Sequence, residues 1–237
     1  MVQLETKYIG LTLRNPLIIG SSGLTNSVEN NRKLEEAGAG AIVLKSLFEE
    51  QINLQSDSLM QSSDSPEAAD YIRNYVLANR LEQYLTLIRE TKAQCKIPVI
   101  ASVNCYKPSA WTDFAKQIGD AGADALELNV FYLCTDLNTS PNELYDLYVS
   151  ILKKVRAQVS IPIVMKIGKA FSNIPGLVNQ LKLHGAQGVV LFNRFYSPDI
   201  DIDKMQITSG ATFSSPSELS DTLRWTALVS SKVPGIS

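Results

Sequence analysis

Six side chains able to donate or hold hydrogen bonds follow short apolar runs along this chain: Lys45, Ser46, Asn104, Asn129, Lys166 and Asn193. A turn of small residues, Gly20-Ser21-Ser22-Gly23, follows another such run. The set is poor in acids and bases and rich in donors. It suits holding a planar, polar heterocycle better than hydrolysing a bond. A flavin fits: its ring edge alternates N–H and C=O groups that asparagine amides can match. The negative charge that gathers near N1 and O2 on reduction calls for a fixed cation such as lysine. Small residues at Gly20 to Gly23 would let backbone approach the ring.

These residues must be positioned by repeated elements. Glu36-Ala37-Gly38-Ala39-Gly40-Ala41-Ile42-Val43-Leu44-Lys45, Asp120 to Asn129 and Leu183 to Asn193 repeat one phrase, in which a helix ends at glycine and turns into an apolar run. That is how a helix returns to a buried parallel strand, with a polar residue at the strand's carboxyl end. Ile97 to Asn104 and Ile161 to Lys166 each open with Pro at a strand start, and Asn15 to Gly20 supplies a first strand. Helical spacing covers Ala78 to Lys92 and Ser140 to Arg156, the second beginning with a Ser140-Pro141 cap and carrying Leu144, Leu147, Tyr148, Ile151 and Leu152. Six strands alternating with helices predict an α/β fold of the TIM (β/α)8 type rather than a doubly wound open sheet. In such a barrel the carboxyl ends of the strands carry the chemistry.

Lys232 to Ser237 repeats the polar, β-branched, Pro opening of the Ile97 and Ile161 strands, so it reads as a seventh strand beginning. An eight-stranded barrel takes about 250 residues, and the insertions Glu49 to Tyr75 and Tyr196 to Leu219 consume many of these 237. The expectation is one domain over residues 1–237, an incomplete barrel that lacks strands seven and eight, with open sheet edges and exposed apolar surface.

Composition sets wider bounds. With 45% hydrophobic and 19% charged residues the chain reads as an ordinary globular protein. A formal charge of -2 lacks the basic footprint of nucleic-acid or anionic-membrane binding. No apolar run reaches transmembrane length and the first residues do not resemble a signal peptide, so a cytoplasmic protein is expected. Cys95, Cys105 and Cys134 have no paired or C-x-x-C spacing, which argues against disulfides, structural zinc and iron–sulfur ligation. His184 is the single histidine, placed as a helix C-terminal cap, so triad and multi-histidine metal chemistry are excluded. Trp111 and Trp225 fall in helical patterns and read as core.

The order Asn15-Pro16-Leu17, Ser21-Ser22-Gly23, Lys45-Ser46, Glu127-Leu128-Asn129, Lys166 and Asn193 resembles the cytosolic, FMN-dependent dihydroorotate dehydrogenase family, and more closely its "dihydroorotate dehydrogenase-like" branch. The resemblance implies a cytoplasmic homodimer that oxidises dihydroorotate or a related dihydropyrimidine, in pyrimidine biosynthesis, with hydride passing to flavin N5. It implies Ser21, Ser22, Gly23, Lys45, Ser46, Asn104, Asn129, Lys166 and Asn193 as FMN ligands. Lys45, Asn129, Asn193 and Arg194 would meet the substrate, with no metal.

Where the family carries Asn-x-Ser-Cys-Pro-Asn after the fourth strand, this chain has Asn129-Val130-Phe131-Tyr132-Leu133-Cys134. Tyr132 takes the place of the base, and Cys134 that of a substrate-binding asparagine; either is a candidate base. The family's Asn-rich loop has no clear counterpart in Ser56 to Tyr71, and Arg194 stands where a small hydroxyl residue is usual. Glu49 and Glu50 read as a solvated loop, with a salt bridge to Lys45 or Arg194 as the alternative. Two other readings remain: a barrel lyase using Lys45 or Lys166 as a Schiff base, and a non-catalytic barrel remnant. Without the loops after strands seven and eight the phosphate grip would be missing, and poor FMN binding is expected of the 237 residues.

Overall fold

The computed structural model describes residues 3–48, 66–104, 112–130, 132–194, 197–211 and 213–237. Glu49, Glu50, Cys105, Trp111, Phe131 and the stretch 56–65 lie outside them. A hairpin of β1 (Thr6–Tyr8) and β2 (Leu11–Leu13) comes first, followed by β3 (Ile18–Ile19), α1 (Val28–Glu36), β4 (Ala41–Val43) and β5 (Leu47–Phe48). Then come α2 (Pro66–Gln94), β6 (Val99–Asn104), α3 (Thr112–Asp120), β7 (Ala125–Asn129), α4 (Pro141–Arg156) and β8 (Ile163–Ile167). The order closes with α5 (Ile174–Leu183), β9 (Gly188–Leu191), a hairpin of β10 (Pro198–Asp201) and β11 (Gln206–Ser209), and α6 (Glu218–Lys232).

The central sheet runs β3-β4-β6-β7-β8-β9, all parallel, with the short β5 also on β6. These are the six strands expected from the sequence, and they form a partial barrel. Ser237 donates its N–H to Gln187 O (3.1 Å) and accepts from Val189 N (2.9 Å), the bond pair that places it in parallel register beside β9. That pair sets Ser237 beside Gly188 at the edge of the sheet, while residues 233–237 themselves carry no strand.

The three repeated phrases behave alike. Gly38, Gly122 and Gly185 all take positive φ (108°, 96° and 102°), and the following Ala39, Ala123 and Ala186 bond back to Leu34, Ile118 and Leu181. Each closes a helix in the left-handed conformation that glycine adopts cheaply. The Pro-initiated strands share a second device: Val99 N–H is taken by Asp124 Oδ2 (2.7 Å) and Ile163 N–H by Gln187 Oε1 (2.7 Å), so each strand start is satisfied by the next helix-to-strand turn. Helix α4 has the expected cap, with Ser140 Oγ accepting from Glu143 N and the Glu143 side chain accepting from Ser140 N.

Two apolar clusters separate the faces of the sheet. Outward residues such as Ile42, Leu126, Leu128, Ile163 and Met165 pack under Ile88, Ile118, Ile151, Leu152, Leu177 and Leu181 of the helices. A small inner cluster of Ile9, Val43, Ile100, Ala125 and Val164 forms the barrel floor, reached from below by the first hairpin. Trp225 packs against the outer cluster, as its helical spacing predicts, and Cys95 is buried there.

Candidate active site

Alternation along the strands decides what stands above the floor. On β7, Leu126 and Leu128 turn to the helices, so Glu127 and Asn129 follow Ala125 inward; on β6, Ser102 and Asn104 follow Ile100. The register sets Ser102 beside Glu127, Asn104 beside Asn129, and Asn129 beside Lys166. A polar layer therefore lies directly over an apolar one. Lys166, Glu127, Gly20 and Tyr8 line a cavity of about 310 Å³ with Ile18, Val43, Ile100, Val164 and Val190.

The Asn193 Nδ2 donates to Asn129 Oδ1 at 2.9 Å, joining the ends of two strands separated in order by β8. That bond leaves the Asn129 N–H groups and the Asn193 carbonyl to present a donor and an acceptor to a ligand. Ser21 and Ser46 meet on the opposite side: Ser21 Oγ lies 3.0 Å from Ser46 Oγ and accepts from Ser46 N at 2.9 Å. Ser46 Oγ then lies 2.7 Å from Ser102 Oγ, which donates to Glu127 Oε1 at 2.8 Å. Burial raises the Glu127 carboxyl above its ordinary range, while the Lys166 charge and the Ser102 hydroxyl pull it back down.

Other expected residues stand apart from this layer. Ser22 caps a short 3-10 turn, Gly23–Thr25, accepting from Leu24 N at 3.2 Å. The chain leaves β4 before Lys45, whose backbone N–H bonds Thr25 O; its exposed side chain borders a cavity of about 250 Å³ with Asn26, Arg80 and Gln83. Arg194 is held by Glu218 (3.3 Å) and by the carbonyls of Ala211 and Phe213, on the wall of a cavity of about 880 Å³ that also includes Asn193 and Lys169. Tyr132 and Cys134 border a small cavity of about 130 Å³ with Tyr148, Gly168 and Phe171, above the ends of β7 and β8. Tyr148 supports that loop by donating to Val130 O at 2.9 Å. His184 caps α5, its Nδ1 2.8 Å from Gln180 O. Sequence reasoning missed Ser102 and Glu127, both buried, which connect the expected residues to one another. Their signal was spacing: each lies two residues before an asparagine that ends a strand.

A flavin ring is compatible with these residues. The amide pair, the Lys166 charge, an apolar floor and the Cβ-free wall at Gly20, where an added Cβ would meet nothing within 4 Å, supply what such a ring asks for.

No family model matches the chain. Curated relatives do. It is 31% identical over 206 residues to a protein from Methanocella arvoryzae named dihydroorotate dehydrogenase B (NAD(+)), catalytic subunit, covering 82% of this chain and 63% of that one. A protein of the same name from Thermoplasma volcanium is 26% identical over 208 residues, covering 85% of this chain and 65% of that one. A dihydroorotate dehydrogenase A (fumarate) from Limosilactobacillus reuteri is 26% identical over 210 residues, covering 84% and 66%. A solved structure of inosine 5' monophosphate dehydrogenase from Legionella pneumophila aligns with a TM-score of 0.48 at 18% identity, covering 80% of this chain and 43% of that chain. The chain spans 63–66% of the length of these curated relatives, and it is similar to proteins named dihydroorotate dehydrogenase.

Proposed function

We propose that the chain carries the ring-binding side of an FMN-dependent oxidoreductase of the dihydroorotate dehydrogenase kind, acting on dihydroorotate or a related dihydropyrimidine. The observation that supports this reading most is the inward polar layer over an apolar floor, with Lys166 at the cavity and Asn129 joined to Asn193. Asn129 and Asn193 orient a planar ring edge through their remaining donors and acceptor. Lys166 supplies a fixed positive charge in a partly enclosed cavity, where it acts far more strongly than in water. The apolar floor excludes water beneath the ring. FMN, when bound, supplies the hydride acceptor. Tyr132 Oη or Cys134 Sγ, in the loop above β7, takes the proton that leaves the substrate ring. Arg194 and Lys45, which border separate cavities away from the layer, are the candidate cations for a substrate carboxylate.

Flavin binding, read by the quenching of FMN fluorescence on titration with the protein, tests the reading, since weak binding is still registered at equilibrium. Lys166→Met should weaken uptake or slow substrate-dependent flavin reduction by about tenfold or more, the scale of one lost electrostatic partner. Reduction at the parent rate would remove Lys166 from this role. Borohydride trapping of a carbonyl compound on Lys166 would replace the flavin reading with Schiff-base chemistry.

A further inference from the structure

Glu127 is the only acidic or basic side chain in the fully buried set among the described residues, 3% exposed. A buried carboxylate persists only where it is partnered. Its partners form a line. Ser102 Oγ donates to Glu127 Oε1 (2.8 Å), Ser46 Oγ lies 2.7 Å from Ser102 Oγ, and Ser21 Oγ lies 3.0 Å from Ser46 Oγ. Each serine has one hydroxyl proton to give. Because Ser102 spends its proton on Glu127, Ser46 must donate to Ser102 and Ser21 to Ser46. All three O–H dipoles therefore run toward the carboxylate, and such alignment strengthens each bond in turn. The backbone locks the order: Ser46 N–H occupies Ser21 Oγ (2.9 Å), and Tyr84 OH grips Ser102 by donating to its O (2.9 Å) and accepting from its N (2.7 Å).

The far side of Glu127 faces the cavity. Glu127 pairs with Val164 and Asn129 with Lys166, so Glu127 and Lys166 are diagonal neighbours on the inner face of adjacent strands, and both line the same cavity. Three elements surround the carboxylate besides its own: Ser102 from β6 donates to it, and Lys166 from β8 and Tyr8 from β1 line the same cavity, while Tyr84 from α2 holds the Ser102 backbone. Lys166 is the one cation among them. No direct ion pair joins it to Glu127 within 4.0 Å among the described residues, so the two charges act through space and the ammonium stays available to a ligand.

We propose that Glu127 is a positioning residue, a counter-charge oriented by the one-way Ser21–Ser46–Ser102 chain, which sets how much positive field Lys166 presents to an electron-rich planar ring in the cavity. This rests on the flavin reading above. The chain begins at the Ser21 turn, so the rim and the buried charge are linked by three short bonds. Neutralising Glu127 leaves the Lys166 field uncompensated, which favours whichever ligand state carries more negative charge.

Two measurements test this. The first needs no cofactor: a double-mutant cycle in urea unfolding with Glu127→Gln, Lys166→Met and both changes. The double variant should be more stable than the two single losses add up to, by about fivefold or more in the unfolding constant, as coupled groups show. Additive losses overturn the proposal. If Glu127→Gln does not fold, Ser102→Ala takes its place in the cycle under the same criterion, because loss of the oriented hydroxyl weakens the same anion. The second measurement is the affinity ratio for reduced over oxidised FMN. It should rise by about tenfold in Glu127→Gln, less in Ser102→Ala, and return to the parent value in Glu127→Asp, which keeps the charge. An unchanged ratio in Glu127→Gln overturns the proposal as well. A coupled cycle in a protein that takes up no FMN upholds the pair and sinks the cofactor reading, whereas an additive cycle with FMN bound does the reverse.

Discussion

Glu127 makes the stability of this fold depend on pH in a direction opposite to that of most carboxylates. Its folded-state carboxyl is raised by burial, so the native chain binds a proton more readily than the unfolded one. The stability it contributes is full below the unfolded carboxylate value of about 4.3 and is lost as pH rises through the higher folded value. Glu127→Gln should therefore gain stability relative to the parent as pH rises through that window, read from urea unfolding at a series of pH values; a constant difference would remove the buried charge from the balance. At the loop above β7, one of Tyr132→Phe and Cys134→Ala should slow substrate-dependent flavin reduction by about 10²-fold, the usual worth of a general base. Parent rates in both, with every dihydropyrimidine tried, would move the proton to another group. Strand-end residues such as Asn129 and Lys166 were legible because a polar residue after a buried run is conspicuous. Ser102 and Glu127 were not, because an interior polar residue shows its meaning only once the register sets a partner beside it. Lys45 looked like a strand-end residue too, yet β4 ends at Val43 and it is Ser46 that meets the inner layer.

At the scale of elements, the glycine-ended helices and Pro-opened strands announced five of the six parallel strands, since each signal is local and the backbone conformation it demands is narrow. The hairpins were hidden. Pro198, Asp199 and Asp201 are poor strand formers, and the pairing of Ile200 with Ile207 leaves both exposed, so no alternating apolar face marked β10 and β11. Helix α2 begins at Pro66, well before the periodic stretch from Ala78, inside a segment that read as insertion. The junction of β3 and β4 tolerates little change. A Cβ on Gly40 would stand 2.3 Å from Asn15 O, and Asn15 cannot retreat easily because its Nδ2 donates to Gly38 O (2.8 Å) while Gly40 N–H is bonded to Leu17 O (2.7 Å). Gly40→Ala should cost about 2 kcal/mol by overpacking, read as a lower urea midpoint with unchanged slope. A loss below about 0.5 kcal/mol would mean that the Asn15 turn yields, since surface changes fall in that range.

For the whole molecule, the telling residue is Ile9, where the first hairpin meets the barrel floor and the final residue. It holds φ at 48°, a region that a β-branched residue enters only when its surroundings over-determine it. Its side chain is 5% exposed among Val43, Ile100, Ala125 and Val164, and its N–H donates to Ser237 Oγ at 3.1 Å. Ser237 in turn pairs with β9, and the Ile9 Cγ2 fills the space where Gly188 has no side chain, 2.8 Å from the position a Cβ would take. One residue thus joins the first hairpin, four central strands, β9 and the last residue, so its packing belongs to the global fold and not to a separable arm. Ile9→Ala removes that packing and keeps the unfavourable φ, and it should cost about 2–4 kcal/mol, within the range for large-to-small changes in a core. The loss should appear as one cooperative transition at a lower urea midpoint, with circular dichroism and tryptophan fluorescence coinciding. An early, separate transition would show instead that the hairpin detaches by itself, and that the floor of the barrel is closed by the strands without it.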